Sequence, residues 1–152
     1  MKIAETCFNN CLFRKCNFTM VKFLSSLQNV NFVECKMIGA DFSGISRVSN
    51  SFRFEKTILN YASFIGVKLR SIVFDECQME ETYFDSADIA LSEFKKCNLM
   101  RTSFHETNLE KADFSTSYDF CINPNQNRIK KSDFLRKRIK RIACSSRYNC
   151  RI

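Results

Sequence analysis

The sequence predicts an all-β solenoid: a parallel β-helix of square section, with twenty residues to each turn. Three observations carry this. Large apolar residues recur at every fifth position, namely Leu59, Phe64, Leu69, Phe74, Met79, Phe84, Ile89, Phe94, Leu99, Phe104, Leu109 and Phe114. A helix repeats near 3.6 residues and a strand at 2, so neither fits a step of five. The anchors also alternate, Phe at even steps and Leu, Met or Ile at odd ones. If each unit is one side of a coil, only an even number of sides stacks like on like. Four sides give two Phe columns and two aliphatic columns, the arrangement of a stacked solenoid. Finally, the chain has only 3 Gly and 1 Pro in 152 residues, too few for a fold built on tight hairpins.

Taken in order, the elements follow from that frame. Phe8, Phe13, Phe18 and Phe23 share one register, and Leu27, Phe32, Met37 and Phe42 share another that is one residue short. The stretch "SGISRVSNSFR" (43–53) breaks the pattern, and its Gly, Ser and Asn predict a protruding loop or bulge. In so regular a rod such an interruption is where recognition belongs. From residue 57 onward the frame is unbroken. Two positions before each anchor stands a small or medium side chain, such as Ala62, Cys77, Thr82 or Ala112. The solenoid is expected over 1–121, in about five coils. Residues 122–152 then read as an exit segment, "INPNQNRI", and a basic cap with Leu135, Ile139, Ile142 and Ala143 on one helical stripe. A solenoid needs such a cap to cover its last apolar coil.

Units such as "CNLMR", "TNLEK" and "ADFST" resemble the pentapeptide-repeat family, and the Asn-Pro exit resembles its Qnr-type quinolone-resistance and microcin-immunity group. The resemblance covers roughly residues 7–120. It implies a right-handed quadrilateral β-helix with the central Leu or Phe and the small residue two before it inward, and the rest facing solvent. It also implies a bacterial protein that engages a type II topoisomerase, DNA gyrase or topoisomerase IV, and protects it from poisons. In that family the closing element often makes a homodimer through the C-terminal end.

The net charge of +8 belongs to one end. Residues 1–127 hold 14 Lys/Arg and 15 Asp/Glu, while residues 128–152 hold 10 Lys/Arg and only Asp133. Between Arg70 and Lys95 there are seven acids and no base, a negative belt one coil deep. Such a belt invites comparison with DNA phosphates. Residues twenty apart are neighbours, however, so Asp75 meets Lys95, Glu81 meets Arg101, Lys68 meets Asp88 and Asp85 meets His105, and Lys56, Glu76 and Lys96 form one column. Glu80 is left without a partner and Glu93 faces Asp113. Cross-coil pairing thus accounts for most of the belt.

The nine cysteines are an odd count without a secretion signal or a Cys-x-x-Cys pair, which argues against disulfides and metal. Cys11, Cys16, Cys35, Cys77 and Cys97 fall at the small inward position and read as packing. His105 should face solvent. No phosphate loop, dinucleotide fingerprint or metalloprotease motif occurs. No catalytic, cofactor or metal residues are expected. No run approaches a membrane span, and the chain reads as cytoplasmic. The expected role is protein binding, through Arg47, Ser49, Asn50 and Arg53 at the interruption and Glu80, Glu81, Asp85 and Glu93 on the belt. Two alternatives stand beside it: a generic scaffold or effector, and a nucleic-acid or anionic-membrane binder acting through the basic tail.

Overall fold

The computed structural model describes residues 2–3, 6–47 and 50–133. Their chain winds into a parallel β-solenoid with no helix. The named strands are β1 (Lys2–Ile3), β2 (Phe8–Asn9), β3 (Leu12–Arg14), β4 (Lys22–Phe23), β5 (Leu27–Val33), β6 (Ser51–Glu55), β7 (Val73–Asp75) and β8 (Glu93–Lys95). The longer ladder runs β2–β5–β6–β7–β8, with β3 also on β5, and every pairing is parallel. Single bridges such as Ile58↔Gln78↔Asn98 and Lys68↔Asp88↔Asn108 continue it round the other sides.

Four columns fill the tube. The first face stacks Phe13, Phe32, Phe54, Phe74, Phe94 and Phe114, with ring centroids 4.5–5.4 Å apart and nearly parallel planes. The third stacks Phe23, Phe42, Phe64, Phe84 and Phe104 in the same way. Across the tube the two columns meet edge to face, as Phe64 and Phe74 do at 5.8 Å and 86°. Both geometries suit the ring quadrupole. The second face carries Phe18, Met37, Leu59, Met79 and Leu99, and the fourth carries Phe8, Leu27, Leu69, Ile89 and Leu109. All twelve anchors from Leu59 to Phe114 are buried.

The small residue before each anchor is buried too, and its polar atom has a fixed task. The Thr82, Thr102, Thr107 and Ser117 hydroxyls donate to the carbonyls of Leu59, Met79, Phe84 and Phe94 in the coil below, at 2.5–2.9 Å. A hydroxyl here fits inside and clasps two coils, so its burial carries no desolvation penalty.

The corner after each anchor takes a left-handed residue. Tyr61, Ser71, Glu76, Glu81, Ser86, Leu91, Lys96, Arg101, Glu106 and Lys111 all have φ between 51° and 63°, and only Gly66 in this run is glycine. A Cβ in that region costs up to about 1–2 kcal/mol. Leu91, at φ 63° and 47% exposed, has little burial to offset it. Leu91→Gly is therefore expected to raise stability by up to about 1 kcal/mol in urea titration, after the extra freedom of the unfolded glycine is subtracted. A clear loss would show that the corner owes its shape to the side chain.

Coil length is not constant. Phe13 pairs with Phe32, a step of 19, Phe32 with Phe54, a step of 22, and Phe54 with Phe74, a step of 20. The first is the missing residue between Phe23 and Leu27. The second falls at 43–53, where a loop or bulge is expected: the last residues of the stretch begin β6, Phe52 is buried, and Ile45 packs into the core. The interruption is thus a compact bulge on the fourth face, two residues over the regular step, and the opposing register shift falls at Asn29. Its φ is 51°.

The exit expected at 122 also differs. Phe120 and Ile122 are buried, residues 123–127 turn, and the chain rejoins the ladder at Arg128 and Asp133. The expected helical cap, with Leu135, Ile139, Ile142 and Ala143, lies outside the described residues.

Cys16, Cys35, Cys77 and Cys97 line one inward column, with Thr57 between Cys35 and Cys77 and Ser117 above Cys97. Burial, then the neighbouring Cys97 thiol, pushes the Cys77 thiol well above its ordinary value, and burial raises Cys35. Thiolate is the reactive form. Cys77 should therefore resist alkylation at mildly alkaline pH, and Cys97, buried beside it, should be closed to the reagent, while exposed Cys7 reacts, as counted by mass spectrometry. Fast labelling of either buried thiol in the folded protein would contradict the column. Cys121 corrects the reading against disulfides: it is disulfide-bonded.

Candidate functional site

The inward–outward alternation that fills the tube also writes its surface. On the third face Ala62, Phe64, Thr82 and Phe84 turn in, so Ser63, Tyr83 and Ser103 turn out and bridge in one outer column. Tyr61 and Ile65 flank that column at the two corners of the coil below. Tyr61, Ile65 and Tyr83 are 50%, 45% and 39% exposed, an apolar cluster on a flat sheet face. Isolated exposed apolar residues are ordinary, but a grouped aromatic set with a polar border is the anatomy of a binding surface.

Its border is made by the belt. Arg101 Nη1 lies 3.1 Å from Glu81 Oε1 and 3.9 Å from Glu80 Oε1. The Glu80 N–H donates to Asn60 Oδ1 at 3.1 Å, and Ser103 Oγ donates to Asp85 Oδ1 at 2.6 Å. Glu80 is thus not partnerless, and Asp85 is held by Ser103 rather than by His105, whose carbonyl accepts from Ser86 N–H. Half-exposed ion pairs of this kind stabilise by about 0–1 kcal/mol each and leave their charge readable from outside.

The other expected contact residues do not join this patch. Arg53 lies on β6, on the opposite face, with its Nη2 3.0 Å from Asp75 Oδ2. Glu93 is two coils along the same outer column and is paired to Lys95 Nζ at 2.6 Å, which holds the Lys95 ammonium above its usual value. It does face Asp113. Arg47 is exposed on the bulge. Asn50 is occupied: its Oδ1 accepts from Leu27 N–H at 2.9 Å and its amide donates to the Ser46 carbonyl. Ser49 lies outside the described residues. Of the expected neighbours, Glu81–Arg101 is an ion pair. Asp75 and Asp88 instead take Arg53 and Arg70, which reach two residues along the next coil, while Lys56, Glu76 and Lys96 are left-handed corner residues that no ion pair joins.

A shallow groove of about 240 Å³ on the first face is lined by Leu12, Asn31, Phe32, Val33, Arg53 and Glu55, without a nucleophile and base side by side. Among the described residues no three His, Cys, Asp or Glu converge on a metal-sized site, and no helix is long and apolar enough to cross a membrane.

Residues 46–123 match the family model for the SV2A/B/C luminal domain, a span that contains the unbroken repeat. No curated protein matches the chain. Among solved structures, a trypsin-treated form of QnrB1, a plasmid-mediated fluoroquinolone resistance protein, is similar with TM-score 0.65 at 20% identity, over 91% of this chain and 81% of that one. A pentapeptide repeat protein, Rfr23, from the cyanobacterium Cyanothece 51142 aligns with TM-score 0.44 at 11% identity, over 88% and 90%. HetL, from Nostoc sp. strain PCC 7120 and involved in heterocyst differentiation regulation, aligns with TM-score 0.32 at 11% identity, over 89% and 85%. With a five-residue frame and a four-sided parallel coil, the chain has the parallel β-solenoid fold that QnrB1 shares.

Proposed function

We propose that this chain is a non-enzymatic protein-binding solenoid whose third face, around Tyr83, engages a bacterial type II topoisomerase and shields it from quinolone- or microcin-like poisons. The observation that supports the binding mode is the exposed cluster of Tyr61, Ile65 and Tyr83 bordered by Glu80, Glu81 and Asp85. Such a surface suits a partner with apolar and basic groups together. The choice of partner rests on the likeness in fold to QnrB1. Most belt acids are matched by Arg53, Arg70, Lys95 and Arg101, so the reading does not rely on imitation of DNA.

The test is gyrase supercoiling with a fluoroquinolone, with and without the protein. Added protein is expected to restore supercoiling in the presence of the drug. Tyr83→Lys with Glu81→Lys should weaken the protection about tenfold or more, as removal of a central aromatic contact does, and Arg47→Glu on the bulge tests the remaining exposed loop residue. No protection at any concentration would remove the topoisomerase reading. Protection that survives the Tyr83 double variant would move the contact to another face.

A further inference from the structure

Of the seven acids between Arg70 and Lys95, five have a cation in reach. Asp75 takes Arg53, Asp88 takes Arg70, Glu93 takes Lys95, and Glu80 and Glu81 share Arg101. Among the described residues no ion pair reaches Glu76 or Asp85. Glu76 is a corner residue on the far side of the second face. Asp85 stands on the third face, within the border of the exposed cluster of Tyr61, Ile65 and Tyr83.

What surrounds Asp85 gives that spare charge a shape. Its Oδ1 accepts from Ser103 Oγ at 2.6 Å, which fixes the carboxylate and leaves Oδ2 unmatched. Gly66 N–H donates to Asp85 O, so the ladder sets Ile65 next to Asp85 in the coil below. Tyr83 lies two residues earlier, outward in the adjoining column between Ser63 and Ser103. On the other side the corner is small, with Gly66 and Ser86, and a Cβ on Gly66 would meet nothing within 4 Å. The carboxylate is thus open from the fourth-face side, with an aromatic residue and an aliphatic one beside it.

We infer that the third face recognises an arginine of its protein partner, seated against Tyr83 with its guanidinium donating to Asp85 Oδ2 and its methylene stem on Ile65. The inference rests on the third-face reading above and adds the chemistry the partner must present. A guanidinium stacks on an aromatic ring, makes charge-assisted hydrogen bonds to a carboxylate, and carries an apolar stem, so one side chain uses all three neighbours. The ammonium of lysine is more strongly hydrated and cannot stack. Charge favours the same occupant: Glu80, Glu81 and Asp85 border Tyr83 against Arg101 alone, three negative charges to one positive.

Nuclear magnetic resonance of the full chain, titrated with N-acetyl-arginine amide, tests the site without the partner. Saturable shifts at millimolar probe are expected at the Ile65, Tyr83 and Asp85 amides, with N-acetyl-lysine amide binding more weakly. Asp85→Asn keeps an acceptor for Ser103 and removes the charge, and should weaken the arginine probe about fivefold. Tyr83→Leu keeps an apolar neighbour and removes the ring, and should weaken it about threefold. Glu76→Gln, at the other acid without an ion pair, should change nothing. Gyrase binding is the second measurement, and Asp85→Asn should weaken it about tenfold. No saturable shift on the third face, equal binding of the lysine probe, or an equal loss in Glu76→Gln overturns the inference. So does gyrase binding that Asp85→Asn leaves intact, and the topoisomerase reading then stands without it. A chain that takes the arginine probe at Asp85 but not gyrase supports the inference and removes the topoisomerase reading.

Discussion

Phe84→Ala is expected to lower the unfolding free energy by about 3–5 kcal/mol, the range for a buried aromatic cut to alanine. The ring is fully buried. It stacks on Phe64 at 4.9 Å and Phe104 at 5.4 Å, and meets Phe74 and Phe94 edge to face. Its loss would leave four rings each without a neighbour, in a column fixed by the backbone ladder on both sides and so unable to collapse. For a chain of this length the loss should lower Tm by roughly 10 °C. Because coils touch only their neighbours, the denaturation curve should also broaden or split as the halves on either side of residue 84 uncouple. Tyr83→Ala, one residue away and facing solvent, should change stability by less than about 0.5 kcal/mol. Urea titrations of the two variants side by side decide it. Similar losses at 83 and 84 would mean that the inward–outward frame is wrong.

That contrast marks what the residues reveal by themselves. A step of five with alternating Phe and aliphatic anchors calls for a coil with an even number of sides, and the four-sided one stacks Phe64, Phe84 and Phe104 in one column. The surface is harder to read, since a ladder states which backbones are adjacent but not where long side chains end. Asp75 stands opposite Lys95, yet Arg53, from the coil on its other side, closes on it. Asp88 stands opposite Lys68, yet Arg70 takes it. A guanidinium reaches diagonally and makes a better-directed hydrogen bond than an ammonium. Tyr61, Ile65 and Tyr83 escape a search guided by charge, although their places just outside the inward positions mark them as exposed. At the interruption the same limit holds for Asn50, whose polar side chain suggests a contact residue but is spent on the backbone.

The same use of asparagine makes Asn127→Ala the second large effect, an expected loss of about 2–3 kcal/mol. In a regular coil a Thr or Ser hydroxyl at this place donates to the carbonyl 23 residues back, as Thr107 does to Phe84 at 2.8 Å. It also accepts the N–H of the residue beneath it, as Ser117 does from Cys97 at 3.1 Å. Asn127 performs both tasks, donating to Phe104 O and accepting from Thr107 N–H, each at 2.9 Å. Its second amide hydrogen closes the turn on Asn123 O at 2.9 Å. Asn50 repeats two of these contacts at the bulge, to Leu27 N–H below and to the carbonyl four residues earlier. Each irregular excursion thus returns to the ladder through one amide that holds the coil below and its own turn together. Alanine would leave the Thr107 N–H and the Phe104 carbonyl unmatched, at about 1 kcal/mol or more apiece where water cannot replace the amide, and would leave the Asn123 carbonyl with the Gln126 N–H alone. Asn127→Ser keeps the two coil bonds and loses only the turn, so it should cost about 1 kcal/mol. Hydrogen exchange locates the effect: the Arg128 and Asp133 amides, bonded to Thr107 and Ala112, should lose protection in the alanine variant before those of earlier coils. Equal losses for serine and alanine would assign the stability to the turn rather than to the coil-to-coil bonds.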